Sequence, residues 1–190
     1  MDFKQKKHET IGACGIDCGL CPRFYTKGDS VCPGCGGLNF KEKHPSCGLL
    51  TCVVKQGLET CGECKDYPCQ RFENTVGCGA DSFVTHKKMR SNLDEIRAGG
   101  IEKFIKKQNI RIDILRDFLT NYDDGRTKSF FCQTCALLPI DSLQKIHHDA
   151  KNILSTTDLK ERSKHIRKII TETATSLGVD LKLNKLNSTL

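Results

Sequence analysis

The sequence predicts a mainly α protein, with an irregular, cysteine-rich N-terminal module packed on a small helical bundle and little β-structure. Three observations carry this expectation. Eleven of the 13 cysteines lie between Cys14 and Cys78. Apolar residues recur at helical spacing from about residue 81 onward. Only residues 179–183 alternate as a strand would. The shift in composition sets the expected division: residues 1–80 as a cysteine-rich metal-binding module, residues 81–190 as a helical region with a short C-terminal strand or tail. No repeat at solenoid periods and no low-complexity segment interrupts it.

Residues 11–80 are rich in cysteine and glycine and hold few long apolar runs. A segment this small is short of core and needs a staple. Disulfides are the poorer staple here. The cysteine count is odd, and Met1–Thr10 carries no apolar stretch of the kind a secretory leader needs. No run of 18 apolar residues occurs either. The expected setting is therefore cytoplasmic, with reduced thiols and no membrane span.

Metal is the better staple. The cysteines read Cys14-x3-Cys18-x2-Cys21, Cys32-x2-Cys35, Cys47-x4-Cys52 and Cys61-x2-Cys64-x4-Cys69. Two thiolates with two residues between them can grip one metal in a tight turn, and tetrahedral zinc needs two such grips. Pro33 and Gly34 suit the turn between Cys32 and Cys35. The ten cysteines from Cys14 to Cys69 are the expected ligands, enough for about two zinc ions at four thiolates each. A sequential grouping joins Cys18, Cys21, Cys32 and Cys35, then Cys47, Cys52, Cys61 and Cys64. Interleaved groupings fit the spacing nearly as well, and Cys14 and Cys69 can replace neighbours or build a third site. His44 is a candidate nitrogen ligand, although an exposed loop histidine is the simpler expectation.

Four helices are expected after the module. The first starts near Asp81 as a cap and ends at Gly99-Gly100. The second carries Ile101, Ile105, Gln108, Ile112, Leu115, Leu119 and Tyr122 on one face and closes at Asp123-Asp124-Gly125. A third follows Pro139, with Asp141 and Gln144 spaced as a capping box and Leu143, Ile146, His147, Ala150, Ile153 and Leu154 as its stripe. The fourth begins at Asp158, paired with Glu161. It turns Leu159, Ile166, Ile169, Ile170, Ala174 and Leu177 inward and stops at Gly178.

The segment Ala13-Cys14-Gly15-Ile16-Asp17-Cys18-Gly19-Leu20-Cys21-Pro22 resembles the opening of the family called domain of unknown function 3795. The pairs Cys32/Cys35 and Cys47/Cys52, and the run from Cys61 through Pro68-Cys69, fit the family pattern in order across residues 12–75. Asp123–Arg126 and Phe130–Cys132 look similar to its longer members. The resemblance implies a cysteine-rich, metal-binding prokaryotic protein and carries no established activity. Cys78 and Cys135 fall outside the similar part.

Rival chemistries have weaker signatures. Cys14-x3-Cys18-x2-Cys21 has the spacing of radical S-adenosylmethionine enzymes, but helices rather than βα units follow it. The ferredoxin spacing is absent, which leaves an iron–sulfur cluster as the alternative cofactor rather than the first. Cys132-x2-Cys135 suits thiol exchange at a helix start, yet the strand–helix alternation of a thioredoxin-like fold is missing. Their simpler reading is two buried thiols, or a grip on a metal shared with Cys78. Nucleophile elbows, phosphate-binding loops and His-Glu-x-x-His are missing too. Adjacent His147 and His148 cannot face one site, and Asp123/Asp124 read as a solvated turn.

Formal charge is +7. Each zinc with four thiolates carries −2, so two such sites lower the net to about +3. The basic run Lys160–Lys168 is then expected to give only weak, non-specific nucleic-acid binding. A zinc-binding interaction or scaffolding module of unknown partner, a protein being one candidate, is the first functional expectation. The second is a metal- or thiol-dependent enzyme or redox protein.

Overall fold

The computed structural model describes residues 5–76, 80–153 and 158–184. It is mainly α, with eight α-helices and no strand among the described residues. In chain order these are α1 (Phe40–Lys43), α2 (Gly48–Lys55), α3 (Gln70–Val76), α4 (Met89–Gly99), α5 (Ile101–Asn121), α6 (Lys128–Leu137), α7 (Ile140–Lys151) and α8 (Leu159–Ser176). Short 3₁₀ turns join them in the cysteine-rich part.

The chain forms two units. One comprises the described residues through Gln108 with Leu183 and Asn184; the other is Asn109–Lys182. The boundary between the two units falls within α5. The reason lies in the first unit's core. Ile11, Phe40, Leu49, Leu50, Val53, Tyr67 and Phe72 cluster with Leu93 and Ile96 of α4 and Phe104 of α5. The cysteine-rich segment therefore has an apolar core, contrary to the sequence expectation, and completes it with downstream helices. Beneath it lies a buried polar knot: the Asp17 carboxylate accepts from Asn92 Nδ2 and Gln108 Nε2, each at 2.9 Å.

Glycine permits the closest approach in this unit. A Cβ on Gly62 would stand 2.6 Å from the Leu93 carbonyl oxygen. Gly62→Ala is expected to force α4 away from the Cys61–Cys64 turn and to cost about 1–3 kcal/mol, as overpacking does. Gly48→Ala, at a helix start with open space around it, should leave the urea midpoint at or above wild type. Similar midpoints for the two variants would contradict this packing.

In the second unit Phe118 is buried against Tyr122, Phe131 and His147. Tyr122 donates its hydroxyl hydrogen to the Ala150 carbonyl at 2.7 Å, and Arg111 donates to the Cys135 and Leu138 carbonyls at the end of α6. His147 is half-buried and bonded to Asp117 at 3.1 Å.

Several sequence expectations need correction. The first predicted helix starts at Met89, because the Asp81 carboxylate accepts from His86 N and Asn184 N, each at 2.6 Å, and builds a turn there. Residues 179–183 form no strand: Asp180 accepts from Lys182 N at 3.0 Å and turns the backbone. Pro139 caps α7, so the Asp141–Gln144 capping box does not form. Asp158 does cap α8, accepting from Glu161 N at 2.9 Å, while Leu159 and Leu177 face outward. Cys132 and Cys135 sit inside α6 rather than at a helix start. Cys78 and Leu154 lie outside the described residues. No helix among the described residues is long and apolar enough to cross a membrane.

Candidate metal centre

The ten cysteines sit on four short segments gathered by backbone hydrogen bonds. In the first, Gly12 N donates to Ile16 O at 2.8 Å and closes the loop holding Cys14. Cys18 opens a 3₁₀ turn that ends at Cys21. The second segment, Cys32–Gly37, is tied to the first strip of chain by Cys35 N donating to Glu9 O at 3.0 Å. Cys47 and Cys52 are carried by α2, as its N-cap and its fifth residue. In the fourth, Cys61–Glu63 is a 3₁₀ turn with a capping box between Thr60 and Glu63. Its Cys61 N donates to Ala13 O at 2.8 Å, and Ala13 N in turn points to Cys35 Sγ at 3.4 Å. Ala13 thereby links three of the four segments.

Several of the thiols raise one another's pKa by charge. Cys14 senses Cys35 and Cys47, Cys18 senses Cys35 and Cys14, and Cys35 senses Cys47 and Cys32. Cys61 senses Cys14, Cys69, Cys52 and Cys64. Cys21 senses Cys32. Gln56 touches two members of the Cys61 neighbourhood: its Nε2 donates to Cys52 Sγ at 3.3 Å and its Oε1 accepts from Cys64 Sγ at 3.7 Å. These neighbourhoods overlap at Cys14. Among the described residues no three His, Cys, Asp or Glu side chains close into a metal-holding group. Seven of the ten cysteines belong to the first unit's core or pack against it.

Burial dominates the thiol chemistry. It pushes Cys14 and Cys61 up to about 12, Cys18 well above the ordinary thiol value, and Cys21 and Cys35 upward. Without a cation these thiols stay protonated at neutral pH. In the second unit, burial likewise lifts Cys135 to about 12. A thiol so held is a poor nucleophile, so the geometry around Cys135 favours a buried structural thiol over thiol exchange.

His44 is exposed and stacks on Phe40 with ring centroids 4.8 Å apart. Burial and then nearby Arg23 hold its pKa below the ordinary value. A cavity of about 270 Å³ lies beside it, with Cys18, Cys21, Cys32, Arg23 and Phe83 in its walls. The Arg23 guanidinium sits 5.0 Å over the Phe83 ring.

Sequence reasoning missed the residues that brace these segments. Thr60-x2-Glu63 was legible as a capping box. Gln56, Arg97 (which donates to Cys64 O at 2.8 Å) and buried Lys6 carry no local signal.

Residues 10–74 match the model of a family described as protein of unknown function (DUF3795). No curated protein and no solved structure matches the chain.

Proposed function

We propose that the chain is a zinc protein, holding about two ions through the ten cysteines from Cys14 to Cys69, and that the metal-built module serves interaction or scaffolding with a protein partner in a reducing cytoplasm. One observation carries this reading: cysteines from four separate segments pack on one apolar core. Protonated thiols alone gain nothing from such crowding, whereas a divalent cation turns it into folding free energy. When bound, zinc supplies a structural cross-link between the segments. The cysteines would hold it, and Ala13, Gln56 and the Thr60–Glu63 box fix their backbones.

Proton bookkeeping tests the reading. Ligating thiols must lose their protons, and Cys14, Cys18 and Cys61 begin fully protonated at neutral pH. Zinc uptake is expected to release about one proton per ligand, roughly four per ion. Apparent affinity should therefore rise with pH and fall in acid. Native mass spectrometry counts the ions, and a pH indicator in weak buffer counts the protons. Zinc bound without proton release would contradict thiolate ligation, and brown protein with charge-transfer absorbance would favour iron–sulfur.

The cavity at Cys18, Cys21 and Cys32 favours a second reading, a metal- or thiol-dependent enzyme or redox protein whose centre meets a small molecule. A cobalt-substituted protein whose spectrum shifts with added small ligands would support it, because a saturated four-thiolate site has no open position.

A further inference from the structure

The cavity beside His44 has a basic and aromatic wall that metal ligation does not account for. Its volume is about 270 Å³, and every residue lining it belongs to the first unit. That is a little under the ~300–1,000 Å³ that small-molecule sites span. Separate stretches of chain build it. Arg23 comes from the 3₁₀ turn Pro22–Tyr25, and Lys43 and Pro45 from the end of α1 and the loop after it. Phe83 and Val84 come from the turn that Asp81 organises. The two charged side chains of the lining, Arg23 and Lys43, are both positive, and no carboxylate stands among them. Among the described residues neither has an ion-pair partner; the Lys43 ammonium donates to the Asp29 carbonyl at 2.6 Å. Phe83 is 57% exposed, although an aromatic ring gains by leaving water. The Arg23 guanidinium lies 5.0 Å over that ring. A guanidinium stacked on an aromatic face keeps its in-plane N–H donors open to a two-oxygen partner.

We propose that this cavity binds a small organic carboxylate, its charged group held by Arg23 and Lys43 and its apolar body packed against Ile16, Pro45, Phe83 and Val84. Such a pocket, apolar for the most part with a few polar groups that fix orientation, has the anatomy of a small-molecule site. The carboxylate is favoured over a phosphoryl group. A phosphoryl group brings about −2 and three acceptor oxygens, more than two cationic side chains in an apolar setting answer. The thiols of Cys18, Cys21 and Cys32 share the wall, and any that ligate metal carry negative charge, which a dianion meets twice as strongly as a monoanion. This binding site goes beyond the zinc reading, because Arg23, Lys43 and Phe83 are not among the ten candidate ligands.

The test titrates benzoate into the full chain, purified without oxygen, by isothermal calorimetry. Benzamide serves as the uncharged counterpart and inorganic phosphate as the competing anion. Benzoate should bind once per chain with a dissociation constant of about 1 mM or tighter. Benzamide should bind at least about 10-fold more weakly, because it brings no charge to Arg23. Arg23→Gln should weaken benzoate about 10- to 100-fold, as loss of a charge-assisted pair does. Arg23→Lys keeps the charge without the planar fork and should recover only part of that loss. Phe83→Ala should weaken benzoate and benzamide alike, since both rest their rings there. Arg167→Gln removes a guanidinium that lies 5.2 Å over the Phe130 ring in the second unit and should leave the titration unchanged. Native mass spectrometry should count the same zinc in every variant.

Benzoate that fails to bind, or that binds no better than benzamide, would overturn the site. Binding that survives Arg23→Gln in full would overturn its placement in this cavity. Phosphate held more tightly than benzoate would overturn the choice of a carboxylate. None of these results touches the zinc count, and a chain that binds benzoate through Arg23 but takes up no metal would sink the zinc reading alone.

Discussion

Cys61→Ser is expected to release about one zinc per chain, and Cys135→Ser none. Cys61 is buried in the first unit's core, with Cys64 and Cys69 packed against that core, and sits at the start of the Thr60-capped turn. Serine there leaves three thiolates and a poor fourth donor. Structural zinc contributes on the order of 10 kcal/mol to such a module, so losing a ligand should loosen the segment from α2 to α3. Hydrogen exchange should then rise in residues 48–76, while α7 and α8 keep their protection. Cys135 is fully buried in α6. A serine hydroxyl in that place should cost about 1–3 kcal/mol and leave the metal count alone. Zinc lost from the Cys135 variant would tie α6 to the metal centre and break the assignment.

Phe118→Ala should be the most damaging single truncation in the second unit. The ring is fully buried and meets Tyr122, Phe131 and His147, with centroid separations of 6.0, 5.4 and 6.0 Å. Phe→Ala in such a core costs about 3–5 kcal/mol, from lost transfer energy and the cavity left behind. Urea unfolding followed at α7 and α8 should shift strongly to lower denaturant, with both zinc ions still bound under mild conditions. An unchanged midpoint would mean that this aromatic cluster does not hold the unit together.

Helices with one apolar stripe were readable from the chain. α5, α7 and α8 keep that stripe, and their ends fall within a few residues of the positions the caps and glycines predict. α6 was missed because Phe131 through Ala136 are all buried; a helix covered on every side has no periodic pattern to read. The start of α4 was misplaced because Asp81 serves a long-range contact with residue 184, and a cap and a turn use the same side chain. In the candidate centre, the donors were legible as cysteines and their partition was not. Spacing records which thiols are near in sequence, whereas Ala13 gathers Cys35 and Cys61 across intervals that no spacing rule measures. Lys6 was invisible for the opposite reason. It stands among Lys4 and Lys7, and nothing local separates a buried lysine from its solvated neighbours.

The family segment ends at residue 74, yet the apolar core it folds around is closed by Leu93, Ile96 and Phe104. This has a consequence for synthesis. Chains emerge from the ribosome N-terminus first, so residues 10–74 appear with one apolar side uncovered until α4 and the start of α5 follow. During that interval the apolar residues that Leu93, Ile96 and Phe104 later cover remain open to water. For the same reason the segment is not a bead that can be passed between proteins alone: any chain that carries it must also bring helices to seal it.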